Sequence, residues 1–193
     1  MQRTSTMITL QQPAGAEQTI QKSRFIAQAK CCETEREVAI FLRTMASQHP
    51  TAHHLAYAYR IKTAEGVIPR FSDAGEPSGT AGKPILQILD GQQYINVCVG
   101  VIRYYGGINL GTGGLVKAYG GTAKLALEQA GTMPYIEMQE IKITTSYKRV
   151  DELTRELAKI KGTVIDKIFD DAAHFVVKLP AQSAQQFQQR FQA

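Results

Sequence analysis

Three stretches of this chain hold the residue types able to do chemistry, and the richest is RYYGGINLGTGGL at 103–115. Arg103 and the rings of Tyr104 and Tyr105 stand directly ahead of Gly106, Gly107, Gly111 and Gly113, and Lys117 and Lys124 follow. Twelve of the sixteen glycines lie between Gly75 and Gly121. Ordered glycine costs backbone entropy, so such a cluster serves positive φ angles or a close backbone approach. Free amides at the start of a helix, with cations and rings beside them, suit an anion such as a phosphate, and a ring can stack on a base. Strand alternation turns one of the two tyrosines inward, leaving one for a ligand. The second stretch, SDAGEPSGTAGKP at 72–84, carries Asp73, Glu76 and Lys83. With His54 from the third stretch, Asp73 and Glu76 form a candidate acid–base set. The plainer alternatives are a turn whose carboxylates pair with Lys83 or Arg103, and a glycine run that only links a strand to a helix.

Specific nucleotide motifs are absent. Gly82 and Lys83 are followed by Pro84 where a phosphate loop needs Ser or Thr, and Val116 stands where a dinucleotide fingerprint needs its third glycine. There is no GxSxG for a nucleophilic serine. His53 and His54, neighbours on a predicted strand, should point to opposite faces and not share a metal ion. The three cysteines give neither a disulfide framework nor zinc spacing, and Cys98 reads as a buried thiol. No metal and no cofactor are expected. A reducing cytoplasmic setting and no membrane association follow from the cysteine usage, the lack of a signal-like N-terminus and the shortness of every apolar run.

These residues need elements to position them. A net charge of +5 with a hydrophobic fraction of 44% describes an ordinary, mildly basic globular protein. The first 19 residues read as a loose lead-in, and residues 23–31 as a strand. Thr34 and Glu37 form a capping box for a helix through Val38, Phe41, Leu42 and Met45. Residues 54–62 alternate, with Leu55, Tyr57, Tyr59 and Ile61 on one face and Ala56, Ala58 and Arg60 on the other. A long irregular loop is expected over 63–83, a short buried helix from Pro84, and a valine-rich strand over 94–105. The glycine run should open a helix over 114–130 that buries Val116, Tyr119, Ala123, Leu127 and Ala130. Lys117, Gly121 and Lys124 would line up along it as a cationic strip. After a linker at 131–134 the order strand, helix, strand, strand, helix describes a ferredoxin-like half-sandwich lacking its closing strand. From Ile136 onward nine Lys/Arg face eight Asp/Glu, so the excess positive charge belongs to the first domain, residues 1–134, not the second, 135–193.

The three stretches HHLAYAYRI (53–61), SDAGEPSGTAGKP (72–84) and RYYGGINLGTGGL (103–115), in that order, resemble the IMPACT family, also called the YigZ family. The resemblance spans nearly the whole chain. It implies an α+β fold with an N-terminal domain like the second domain of ribosomal protein S5 and a ferredoxin-like C-terminal domain like those of a translocation elongation factor. It further implies a translation-associated regulatory protein that binds RNA, the ribosome or a translation-related protein. Carried over by motif, the functional positions are His54, Arg60, Asp73, Glu76, Lys83, Arg103, Tyr104, Tyr105 and Lys117. Two other expectations stand beside RNA binding: an enzyme acting on a small anionic substrate through Asp73, Glu76 and His54, and a protein-interaction module. The sequence leaves the oligomeric state open.

Overall fold

The computed structural model describes residues 6–192. Its fold is α+β, and the chain divides into two compact units, Met1–Tyr135 and Ile136–Ala193.

The first unit is built on a five-stranded antiparallel sheet. Its strands are β2 (Ala14–Ile20), β3 (Ser23–Cys31), β4 (His54–Thr63), β5 (Gly66–Ser72) and β6 (Val97–Tyr104), in the spatial order β2-β3-β6-β4-β5. Alternation sorts the side chains between two faces. On one face Ala27, Ala29, Ala56, Ala58, Val97, Val99 and Val101 pack against α2 (Gly82–Gly91) and α3 (Gly111–Ala130). On the other, Tyr59, Ile61, Cys98 and Ile102 pack against Val38, Phe41 and Met45 of α1 (Glu35–Gln48). The β4–β6 register sets small residues opposite large ones: Ala56 faces Val101, Ala58 faces Val99, Tyr57 faces Gly100 and Tyr59 faces Cys98. At the centre of the helical face, Tyr119 of α3 is fully buried and meets the Phe25 ring edge-on at 5.2 Å. Such a pair adds about 0.5–1.5 kcal/mol to the area it buries.

The capping expectation holds at α1. Thr34 Oγ1 accepts the amide of Glu37, and Glu37 reaches back to the amide of Glu33. Several other expectations are corrected. The described part of the lead-in is ordered: β1 (Ile8–Leu10) pairs with β7 (Thr132–Pro134), so the expected linker at 131–134 is a strand, and β2 forms the sheet edge. Residues 1–5 lie outside the described residues. The loop expected over 63–83 contains β5, hairpinned onto β4, and only residues 73–81 are irregular. The strand expected from residue 94 starts at Val97, because Asn96 takes a left-handed φ of 57°. α3 begins at Gly111 and turns Leu115 and Ala118 inward, leaving Val116 exposed.

The second unit is a three-stranded antiparallel sheet in the order β8-β10-β9, from β8 (Met138–Thr145), β9 (Thr163–Phe169) and β10 (Ala173–Pro180). Helices α4 (Val150–Lys159) and α5 (Ala181–Phe191) cover one face, burying Leu153, Leu157, Phe187 and Phe191 against Ile143, Phe175 and Val177. The element order is the expected one, with a 3-10 turn at Tyr147–Arg149 preceding α4.

Candidate functional site

A cleft of about 470 Å³ opens in the first unit where the three motif-bearing stretches meet. Its walls include His53 and His54 at the start of β4, Glu76 and Pro77 from the turn after β5, Arg103 and Tyr105 at the end of β6, and Gly111 and Thr112 at the start of α3.

The helix end is chemically open. Leu110 stands at the cap position, and no side chain caps the first turn. The first amides of α3 therefore have neither an intrahelical acceptor nor a capping one, and the helix dipole adds partial positive charge there. Gly111 needs its missing side chain for another reason: its φ is +70°, a conformation other residues adopt at a cost.

Glu76 is the electrostatic centre of the cleft. Its side chain is 5% exposed, and its Oε1 accepts from Arg103 Nη1 at 2.7 Å and from the Tyr119 hydroxyl at 2.8 Å. Burial, then the hydrogen bond to Glu76, pushes the Tyr119 phenol well up, so it stays a neutral donor. Arg103 is itself 5% exposed, also donates to Ser23 Oγ, and lies over the rings of Phe25 and Tyr105. Its Nε has no hydrogen-bond partner.

The two histidines are held in opposite tautomers. The amide of Tyr105 donates to His53 Nδ1 at 3.2 Å, so the neutral ring carries its proton on Nε2. His54 Nδ1 lies 2.8 Å from the Ala74 carbonyl, which only accepts, so in the neutral ring Nδ1 bears the proton and Nε2 presents a lone pair. That Nε2 stands 3.8 Å from Glu76 Oε1, beyond direct hydrogen-bonding range. Both rings line the same cleft, correcting the expectation of opposite faces. His53 sits in the bend before β4, where strand alternation does not apply.

The other sequence-derived residues fare differently. Asp73 lies outside the cleft lining. Its carboxylate accepts the amides of Gly79, Ala81 and Gly82 at 2.8–3.0 Å, ordering the turn that leads into α2. Burial raises its pKa, but these amides with that of Lys83 outweigh it and hold the carboxyl below its usual value. Asp73 is therefore a structural acceptor and not the partner of His54. Arg60 is 7% exposed. It donates to the carbonyls of Leu89 and Tyr94 and pairs with Asp90, so it closes the C-terminal end of α2 and does not reach an outside anion.

The expected phosphate contact through Arg103 is corrected in the same way, since Glu76 already holds it. Gly106 has its bare Cα for packing: a Cβ there would fall 2.1 Å from the Lys22 carbonyl group, and its amide donates to Ser23 Oγ. At Gly107 and Gly113 a Cβ would meet nothing within 4 Å. The two tyrosines divide as expected, although Tyr105 lies one residue past the end of β6. Tyr104 is partly buried with its hydroxyl on His49 Nδ1, and Tyr105 is exposed with its hydroxyl on Asn109. Lys83 and Lys117 are exposed with no carboxylate partner among the described residues, and Lys124 pairs with Glu128 at 3.7 Å one turn along α3. Gly121, midway along the proposed cationic strip, is approached by Gln18 of β2.

Sequence reasoning missed Ser23 and Tyr119, which support Arg103 and Glu76, and it discounted His53. Ser23 and Arg103 are 80 positions apart, and no local pattern ties them together.

Among the described residues no group of three His, Cys, Asp or Glu side chains is arranged to hold a metal ion, and no helix is long and apolar enough to cross a membrane. The fold and cleft together define an α+β protein with a histidine-bearing pocket at an open helix end. The pattern of the Impact N-terminal domain matches residues 21–127. The chain is 38% identical over 161 residues to an IMPACT family member of Thermus thermophilus, covering 83% of this chain and 86% of that one. It is 35% identical over 176 residues to the IMPACT family member YigZ of Escherichia coli, covering 91% and 86%. A crystal structure described as a hypothetical protein superposes with a TM-score of 0.72 at 33% identity, covering 96% of this chain and 91% of that one. The chain belongs to the IMPACT family.

Proposed function

We propose that this protein is a cytoplasmic, translation-associated binding protein whose first unit holds phosphates of structured RNA, free or on the ribosome, at the cleft beside the start of α3. One observation carries the reading: the uncapped first turn of a 20-residue helix opens into a cleft that also offers the His53 Nε2–H and the exposed Tyr105 ring. Lys83 and Lys117 supply unpaired charge on the surface, and the net charge of +5 favours an anionic partner. The setting in translation and in the cytoplasm rests on the motif resemblance. So does the finer architecture, an S5-like domain over 1–134 and a ferredoxin-like domain over 135–193. The sheet order β8-β10-β9 supports the latter, leaving β8 at the edge where a closing strand would add.

Phosphate contacts release counterions, so RNA affinity should fall steeply as salt rises from about 50 to 200 mM. Lys117→Ala should flatten the log–log salt slope by about one unit. Folded wild-type protein that binds no RNA at about 50 mM salt would refute the proposal.

A second reading has one observation behind it. His54 and Glu76 converge in the cleft, with His54 oriented by the Ala74 carbonyl, as a proton-transfer pair acting on a small anionic substrate would require. Asp73 drops out of that set.

A further inference from the structure

The cleft is not uniformly a donor site. Its donor half consists of the first amides of α3, the Thr112 position and the His53 Nε2–H. Its other half accepts. His54 presents a lone pair at Nε2, because Nδ1 is committed to the Ala74 carbonyl. Glu76, 95% buried, spends Oε1 on Arg103 and Tyr119, while its Oε2 has no hydrogen-bond partner among the described residues. That oxygen keeps lone pairs able to accept from a ligand in the cleft that Glu76 lines. His54 Nε2 stands 3.8 Å from the Glu76 carboxylate, so two acceptor groups lie side by side, which a ligand's donated hydrogens would satisfy. A bare phosphate brings chiefly acceptors to this half. A ligand carrying a hydroxyl beside its phosphate matches both halves.

We propose that the cleft takes a phosphorylated ribose, with the phosphate at the α3 end beside His53 and the two ribose hydroxyls donating to His54 Nε2 and to the Glu76 carboxylate. This rests on the anion reading above and narrows it. Arg103, 2.7 Å from Glu76, offsets the repulsion a carboxylate would exert on a phosphate. The volume of about 470 Å³ suits one nucleotide and not a duplex. Tyr105 at the rim, with its ring backed by Arg103 at 5.2 Å, is placed to stack on the base. Two sources supply this chemistry, a free ribonucleotide and the phosphorylated end of an RNA strand.

The test is calorimetric titration of the full-length wild type with inorganic phosphate, AMP, 2′,3′-dideoxy-AMP, and one short oligoribonucleotide with and without a 5′-phosphate. AMP should bind more tightly than phosphate, and removing both ribose hydroxyls should cost about tenfold, the usual scale for a hydrogen bond to a charged group. In His54→Ala, shown to be folded by circular dichroism, the ratio of AMP to dideoxy-AMP affinity should fall towards one. Tighter binding of the phosphorylated oligonucleotide than of AMP assigns the site to RNA ends, and equal binding assigns it to the free nucleotide; either supports the proposal. Phosphate binding with equal affinity for AMP and dideoxy-AMP overturns this inference and leaves the anion reading standing. No binding of phosphate, nucleotide or oligonucleotide by folded protein overturns both.

Discussion

Replacing Glu76 with alanine would leave the Arg103 guanidinium buried beside an empty space. Both side chains are about nineteen-twentieths buried, at 5% and 6% exposure, and they meet at 2.7 Å. The arginine would keep only Ser23 Oγ as a side-chain partner, and the Tyr119 hydroxyl would lose its acceptor. Breaking a buried ion pair from one side costs about 3–5 kcal/mol, because the surviving charge is neither solvated nor paired. In a chain of this size each kcal/mol moves the thermal midpoint by about 2–4 °C, so a fall of roughly 6–20 °C is expected. The assay is thermal and urea unfolding followed by circular dichroism, with Glu76→Gln and the double variant Arg103→Met/Glu76→Leu in parallel. The glutamine variant keeps an acceptor for Arg103 and Tyr119 and should lose less. The double variant removes both charges while retaining volume, and should recover most of the loss, as apolar replacements of buried pairs commonly do. A cost below about 1 kcal/mol for Glu76→Ala, the range of an exposed pair, would refute the reasoning: water would then be reaching the guanidinium.

Three further outcomes are expected. The Asp73 carboxyl is held below its ordinary value in the folded chain, so its stabilising contribution is fully present above the unfolded carboxyl's pKa, about 4, and is lost as pH falls through the lower folded value. The gap in urea midpoint between wild type and Asp73→Asn should therefore be largest near neutrality and close in acid. Gly106→Ala would force a methyl to 2.1 Å from the Lys22 carbonyl, and the backbone shift required should cost about 1–3 kcal/mol in urea unfolding. In the second unit, Leu153→Ala removes a fully buried side chain from the face beneath α4 and should cost about 2–5 kcal/mol by the same measurement.

The elements with strong periodicity were legible in the chain. The alternation over 54–62 assigned Leu55, Tyr57, Tyr59 and Ile61 to one face, and these pack on the α1 side while Ala56 and Ala58 meet the valines of β6 on the other. The capping pair Thr34 and Glu37 located the start of α1. β1, β2, β5 and β7 were not legible. β1 and β7 are three residues each and exist through pairing across 124 positions, as between Thr9 and Met133. β5 carries Gly66 and Pro69 within seven residues, and it persists as an edge strand only because β4 lies beside it.

The sequence by itself determined which residue types came together: motif order brought His54, Glu76, Arg103 and the α3 glycines into one cleft, because their strands and turns are neighbours in the sheet. It also led to the expectation that one of the two tyrosines would face outward, and Tyr105, one residue past the end of β6, is the exposed one. Tertiary structure decided the charge state of that cleft. From the sequence Arg103 could meet a phosphate or a loop carboxylate, and Asp73 could be a base or a turn residue; in the fold Arg103 is spent on Glu76 and Asp73 on three backbone amides. The reason is that desolvation and pairing depend on distances between segments remote in the chain, and a residue's formal charge carries no record of them. The opposed tautomers of His53 and His54 have the same origin: each ring's proton is placed by one backbone group, the amide of Tyr105 or the carbonyl of Ala74, that only folding delivers.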